Sequence, residues 1–147
     1  MAALSAATNR KYHGQQDEIS APVAASDTYY RGAVLALDAN GYASVPTDAA
    51  ALFIAGVVTG EWEDGDKTEA KVVGSGETPR AVLRRGKVWL PFASVAVSDR
   101  GEIAYVADDA GTLTQTAGSK TVGYVILDVD TTNDLALVDL RVPDRIA

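Results

Sequence analysis

The sequence predicts an all-β fold, a compact barrel or sandwich with an extended N-terminal arm and little helix. Three observations predict it. Short runs rich in Val, Ile, Thr, Tyr and Phe recur from Tyr29 onward, punctuated by Gly, Asp, Asn or Pro. A frame cornered by glycines is used twice. Its first copy is Arg31-Gly32-Ala33-Val34-Leu35-Ala36-Leu37, then Asn40-Gly41, then Ala55-Gly56-Val57-Val58. Its second is Arg100-Gly101-Glu102-Ile103-Ala104-Tyr105-Val106, then Ala110-Gly111, then Val122-Gly123-Tyr124-Val125-Ile126. Finally, sustained helical periodicity is missing.

Residues 1–28 read as an arm. Ala, Ser, Thr, Asn and Gln dominate, the apolar residues Leu4, Tyr12, Ile19 and Val23 are scattered, and Arg10 and Lys11 supply charge. Neither a helical nor an alternating pattern holds, so the segment reads as a loose tail or as an arm that orders on a partner. Residues 29–147 form the β domain. Expected strands are Val34 to Leu37, Phe53 to Thr59, Lys67 to Val73, Ala81 to Arg85, Lys87 to Phe92, Ile103 to Ala107, Thr121 to Val129 and Leu135 to Val142. In Thr68-Glu69-Ala70-Lys71-Val72, Glu69 and Lys71 share a polar face. Thr47 to Leu52 is a one-turn helical connector at most, with Thr47 or Asp48 as its N-cap. Asp128 to Asp134 is a polar turn that closes the C-terminal strands as a hairpin.

Composition narrows the function. The chain has 147 residues, a formal charge of −7 and no cysteine. The negative charge disfavours nucleic acid as a partner, since the one basic run (Arg80, Arg84, Arg85, Lys87) is short and offset by the acidic stretch Glu61 to Asp66. Lack of cysteine rules out thiolate chemistry and suits assembly in a reducing cytoplasm. The longest apolar run, Ala49 to Val58, is about half the ~20 residues of a membrane-spanning helix. The sequence therefore predicts a soluble chain with no membrane partner, and its N-terminus lacks the apolar region of a signal peptide.

No constellation supports catalysis. His13 is the one histidine and has no second His or Cys for a transition-metal site. Val73-Gly74-Ser75-Gly76 has its glycines in the wrong places for a nucleophile elbow, and no lysine or helix makes it a phosphate loop. Asp128, Asp130, Asn133 and Asp134 depart from calcium-loop spacing and lack the terminal glutamate. Glu61, Glu63, Asp64 and Asp66 around Trp62 read as a charged hairpin loop with Trp62 packed at its base, rather than a glycosidase pair. The reading is a non-enzyme with no cofactor and no metal. A carbohydrate or host-surface binding module is the alternative, using Trp62, Trp89, Tyr29, Tyr30 and Tyr42, although Trp89 sits in an apolar stretch that predicts burial.

Taken in order, the segments resemble the head-decoration (cement) proteins and capsid fibre bases of tailed bacteriophages. The resemblance rests on Gly32-Ala-Val-Leu, Asn40-Gly41-Tyr42, Ala55-Gly56-Val57-Val58, Thr68 to Val73, Gly86-Lys87-Val88-Trp89-Leu90-Pro91, Gly101-Glu102-Ile103-Ala104-Tyr105-Val106, Val122-Gly123-Tyr124-Val125 and Leu135 to Val142. It covers most of residues 30–142. It implies a β-tulip-like domain, a homotrimer on the outer capsid surface, the major capsid protein as partner, and a virion location after synthesis in the host cytoplasm. It also implies an attachment role for the N-terminal arm, for which Leu4, Arg10, Lys11, Tyr12, Ile19 and Val23 are the candidates.

Overall fold

The computed structural model describes residues 4–49 and 52–145. Its strands are β1 (Lys11–Pro22), β2 (Asp27–Tyr30), β3 (Val34–Leu37), β4 (Ala43–Ser44), β5 (Ile54–Trp62), β6 (Ala70–Val73), β7 (Arg80–Pro91), β8 (Ile103–Val106), β9 (Leu113–Thr114), β10 (Val122–Val125), β11 (Asp128–Asp130), β12 (Leu135–Asp139) and β13 (Pro143–Arg145). One 3-10 turn, Val97–Asp99, is the helix content among the described residues. The expected all-β class is what the chain adopts. The main sheet runs β11-β12-β7-β5-β3-β4, with β1 on the other edge of β7. A second sheet runs β13-β10-β8-β9, and β2 pairs with β6.

Along β3 and β5 the main sheet is buried on both faces. Along β3, Val34 and Ala36 enter one core, which also holds Ala104, Val106, Tyr124 and Ile126 of the second sheet and its flank. Leu35, with Ala33 just before the strand, enters the other core, with Val23, Tyr29 and Val73 on the β2–β6 side. Period-two side-chain alternation thus becomes a division between two apolar layers. This explains why Ala33–Ala36 and Ile54–Val58 read as unbroken apolar runs.

β7 serves both layers. Ala81 and Leu83 belong to the second core, Val88 and Leu90 to the first. Ordinary alternation does this, since Leu83 and Val88 are an odd number of residues apart; between them lies Gly86, where φ is +153° and a Cβ would overlap the Gln16 side chain. Gln16 sits in the bulge of β1 between His13 and Asp17 and donates from Nε2 to the Lys87 carbonyl at 3.2 Å. The sequence reading of two strands, Ala81 to Arg85 and Lys87 to Phe92, is corrected to one strand that runs through this glycine.

The doubled frame is a repeated structural unit. β5-β3-β4 and β10-β8-β9 have the same order and the same antiparallel pairing. Each hairpin closes through an Asp-x-x-Gly turn. Gly41 N–H donates to the Asp38 carbonyl at 3.1 Å, and Gly111 N–H to the Asp108 carbonyl at 3.0 Å. The Asp38 and Asp108 carboxylates accept from the N–H groups of Tyr42 (2.9 Å) and Thr112 (3.2 Å). Gly32 and Gly101 match too, with φ of +91° and +86°. The third glycines do not. Val57 lies opposite Val34 as Val125 lies opposite Ile103, so Gly56 corresponds to Tyr124. The irregularity between Leu35 and Ala36 shifts the first copy by one residue.

Other expectations are revised. The arm reading of residues 1–28 changes most: residues 11–22 form a strand paired along β7 from Lys11↔Trp89 to Pro22↔Arg80, and Val23 is fully buried. The surface on which this segment orders is the chain's own sheet. Thr121 to Val129 divides between β10 and β11. In β6 the polar-face expectation is inverted, since Val72 is 77% exposed while Lys71 lies over Trp62 and Val73 is buried. Lys71 faces Tyr29 across the β2–β6 pair, and its stem roofs the Tyr29–Trp62 contact. Of the expected helical connector, Ala50 and Ala51 lie outside the described residues and Thr47 to Ala49 are irregular. Asp48 instead accepts from Ser119 N–H at 2.9 Å and pairs with Lys120.

Two stability predictions follow from this geometry. Gly32→Ala should destabilise by about 1–3 kcal/mol, because positive φ is strained for alanine and its Cβ would meet the Thr8 carbonyl. Gly41→Ala, with a similar positive φ of +84° but open space around it, should shift the urea midpoint less. Deleting residues 1–28 should leave an unfolded or aggregating chain by circular dichroism and gel filtration. It strips one whole edge of β7 and opens the second core at Ala21 and Val23.

Candidate interaction surface

The N-terminal residues are laid onto the domain by polar contacts. Leu4 N–H donates to Asp109 Oδ1 at 3.0 Å, and Asp109 is the buried acidic residue among those described. Thr8 N–H donates to the Arg31 carbonyl at 2.9 Å, and Arg31 Nη1 to Asn9 Oδ1 at 2.7 Å. Arg10 crosses beneath, donating from Nε to the Gly32 carbonyl (2.8 Å) and from Nη2 to the Ala110 carbonyl (2.6 Å). It therefore ties the N-terminal segment to equivalent points of neither repeat alone: the entry of the first and the turn of the second. Burial lowers the Arg10 pKa, against an opposing influence from Tyr12 and from Asp108 and Asp109. Only glycine fits at position 32 with Thr8 so close.

The arm candidates thus divide. Val23 is a core residue, and Arg10 spends its donors on backbone carbonyls; neither offers a free contact, because each is consumed in the fold. Leu4 and Ile19 pack half-buried against the second core. Tyr12 packs against the first core and under Arg84, whose guanidinium carbon is 5.1 Å from the ring. Burial raises the Tyr12 pKa, opposed by Arg84 and Arg10. Lys11 is exposed, with Nζ 5.4 Å from the Trp89 ring. Arg10, Tyr12, Arg31 and Arg84 line an open cavity of about 280 Å³. Among the described residues β1 pairs with β7 alone, so its outer edge is unpaired along a 12-residue strand.

Charge on this face is arranged as cross-strand pairs. Arg84 meets Glu18 at 3.3 Å, Arg80 meets Glu63 at 2.9 Å, and Ser20 also hydrogen-bonds Glu63. The acidic residues read from sequence as a loop form the β5 hairpin. Trp62 N–H donates to the Asp66 carbonyl and Gly65 N–H to the Trp62 carbonyl, both at 2.9 Å. Trp62 is 3% exposed, as its place at the base of the loop predicts. Asp130 likewise closes its hairpin, accepting from Thr132 and Asn133 N–H groups and from Asn133 Nδ2. Trp89 corrects the expectation of burial: it is half-buried, on the face opposite Val88 and Leu90. His13 is exposed on β1 opposite Lys87.

The tethering role of Arg10 is the feature that sequence reasoning missed. A basic residue in a polar tail carries no signal of its target until Gly32 and Ala110 are brought together by the two hairpins.

Several carboxyl groups are held below their ordinary range. The Ser20 hydrogen bond and then Arg80 lower Glu63. Lys71 lowers Asp66, and the Ser119 N–H followed by Lys120 lowers Asp48. For Asp139 burial acts upward, but hydrogen bonds from the Arg141 side chain and backbone outweigh it. A folded-state value below the unfolded one gives stability that is present above the unfolded pKa. That stability is lost as pH falls through the folded value. The urea midpoint should therefore hold from neutral pH to about 5 and decline below about 4. Glu63→Gln should show a shallower acid decline.

No protein-family model matches the chain, and no curated protein matches it. A chain in a solved structure titled "The capsid of Myoviridae Phage XM1" is similar, with 16% sequence identity and a TM-score of 0.49. The overlap covers 86% of this chain and 84% of that one. A likeness of that size assigns neither family nor role.

Proposed function

We propose that this chain is a non-enzymatic virion structural protein of a tailed phage, binding the outer capsid as a homotrimer and cementing neighbouring major capsid proteins. The observation that carries this reading is the order of the glycine-framed segments. Each segment whose order resembles the decoration proteins forms a strand or turn of one continuous β scaffold, and the hairpin unit is used twice. The investment of sequence in scaffold also favours a role performed by surface.

In this reading the attachment region is the exposed side of β1 with Lys11 at its start, while Arg10 and Val23 hold that strand in place. The unpaired edge of β1 offers backbone donors and acceptors for strand addition by a capsid subunit. Repeated modest contacts from a closed trimer would raise effective concentration at each site. The glycan-binding alternative loses Trp62 and Tyr29 from its aromatic platform, because both are buried.

Light scattering should give a solution mass near three chains. Capsid shells lacking the protein should retain it on co-sedimentation, and rupture at higher temperature once decorated. Lys11→Glu should weaken retention several-fold while leaving the melting temperature in place. Undecorated shells in the presence of excess folded protein would overturn the reading.

A further inference from the structure

Among the arginines whose side chains are described, Arg85 stands apart. Arg31, Arg80, Arg84, Arg100 and Arg141 each approach a carboxylate, and Arg10 is satisfied by backbone carbonyls. Among the described residues Arg85 has no hydrogen-bond or ion-pair partner, and its Nε is buried without one. Asp17 lies opposite it across the β1–β7 pair, but that carboxylate is turned to Arg141 at 3.6 Å. Gly56 gives the arginine its path: a Cβ there would come within 3.1 Å of Arg85 Cγ.

Arg85 forms part of the wall of a cavity of about 230 Å³ where β5, β10 and the C-terminal segment converge. The rest of the wall is largely apolar, including Leu37, Phe53, Ile54 and Leu140. Tyr124 is the other polar group, and its hydroxyl oxygen accepts from Ile54 N–H at 2.9 Å. A guanidinium N–H withdrawn from water without an acceptor is unfavourable, and it is matched best by a carboxylate, which takes two parallel N–H donors. The volume is below the ~300 Å³ at which pockets for drug-sized ligands begin, so it suits one side chain. Apolar surface continues outside it, with Leu37 40% exposed and Val142, next to the lining residue Pro143, 63% exposed. That continuation favours a polypeptide occupant over a free small acid.

We propose that this pocket receives an aliphatic side chain borne next to a carboxylate on a partner polypeptide. The aliphatic group fills the space beside Leu37, Phe53 and Leu140, and the carboxylate accepts from Arg85. An apolar anchor with an arginine at its edge has the composition of an interface hot spot. Ile19 of β1 also lines the pocket, but the proposal makes no use of that strand's unpaired backbone edge and holds whatever assembly the chain joins.

The test uses the full chain, following the Arg85 Nε–Hε resonance during titration with acetyl-Leu-Asp-amide, isovalerate and isovaleramide. The dipeptide should shift the resonance and bind at least about tenfold more tightly than isovalerate, a difference of ~1.4 kcal/mol. Isovaleramide, of the same shape but neutral, should leave the resonance in place. Arg85→Gln should lose the dipeptide about tenfold or more, read from backbone amides around Leu37 and Leu140, and Arg85→Lys should retain part of the binding. Equal affinity for the dipeptide and isovalerate would overturn the polypeptide assignment. An equal response to isovaleramide, or no response to any of the three probes, would overturn the site. Because these comparisons use the unmodified chain, they decide the matter even if Arg85→Gln fails to fold.

Discussion

β7 is the strand on which the rest of the molecule depends. One edge is paired along its length by β1, and the other is shared by β5 and then β12. Its two halves feed opposite cores by ordinary alternation, since Leu83 and Val88 lie an odd number of residues apart and so point to opposite faces. Between the two halves Gly86 lies against the bulge of β1, with Gln16 occupying the space a side chain at 86 would need.

The same economy governs the polar groups. Arginines on the sheet's outer side are fixed by acids on adjacent strands, and Arg10 is fixed by carbonyls from two separate hairpins. Exposed pairs of this kind contribute little individually to stability. Their consequence is geometric, since each pins the rotation of a side chain beside an otherwise open edge. Arg85 departs from that pattern.

Much of the architecture was legible in the residues. Asp-x-x-Gly turns and β-branched runs announce hairpins by local chemistry, so β3 and β8 fell where the sequence placed them, while the expected turn Asp128 to Asp134 gave its first three residues to β11. Trp62 was legible for the same reason, being tied to a tight turn. β1 was not. Its apolar residues are sparse because one side faces solvent, and its order comes from pairing with residues 66 positions away, as between Glu18 and Arg84. No window along the chain contains that information. The inverted face of β6 was hidden similarly, since Lys71 is drawn inward by two aromatic rings contributed from elsewhere.

The polar character of β1 has a further consequence at the ribosome. This strand is synthesised first, but its pairing partner emerges only after the intervening hairpins. At ~5–20 residues per second, a separation of 66 residues leaves β1 without its mate for about 3–13 s. A strand of Val and Ile left waiting that long would seek the edges of neighbouring nascent chains. The Gln, Asp, Glu and Gly that make β1 hard to recognise as a strand also keep it soluble until β7 arrives.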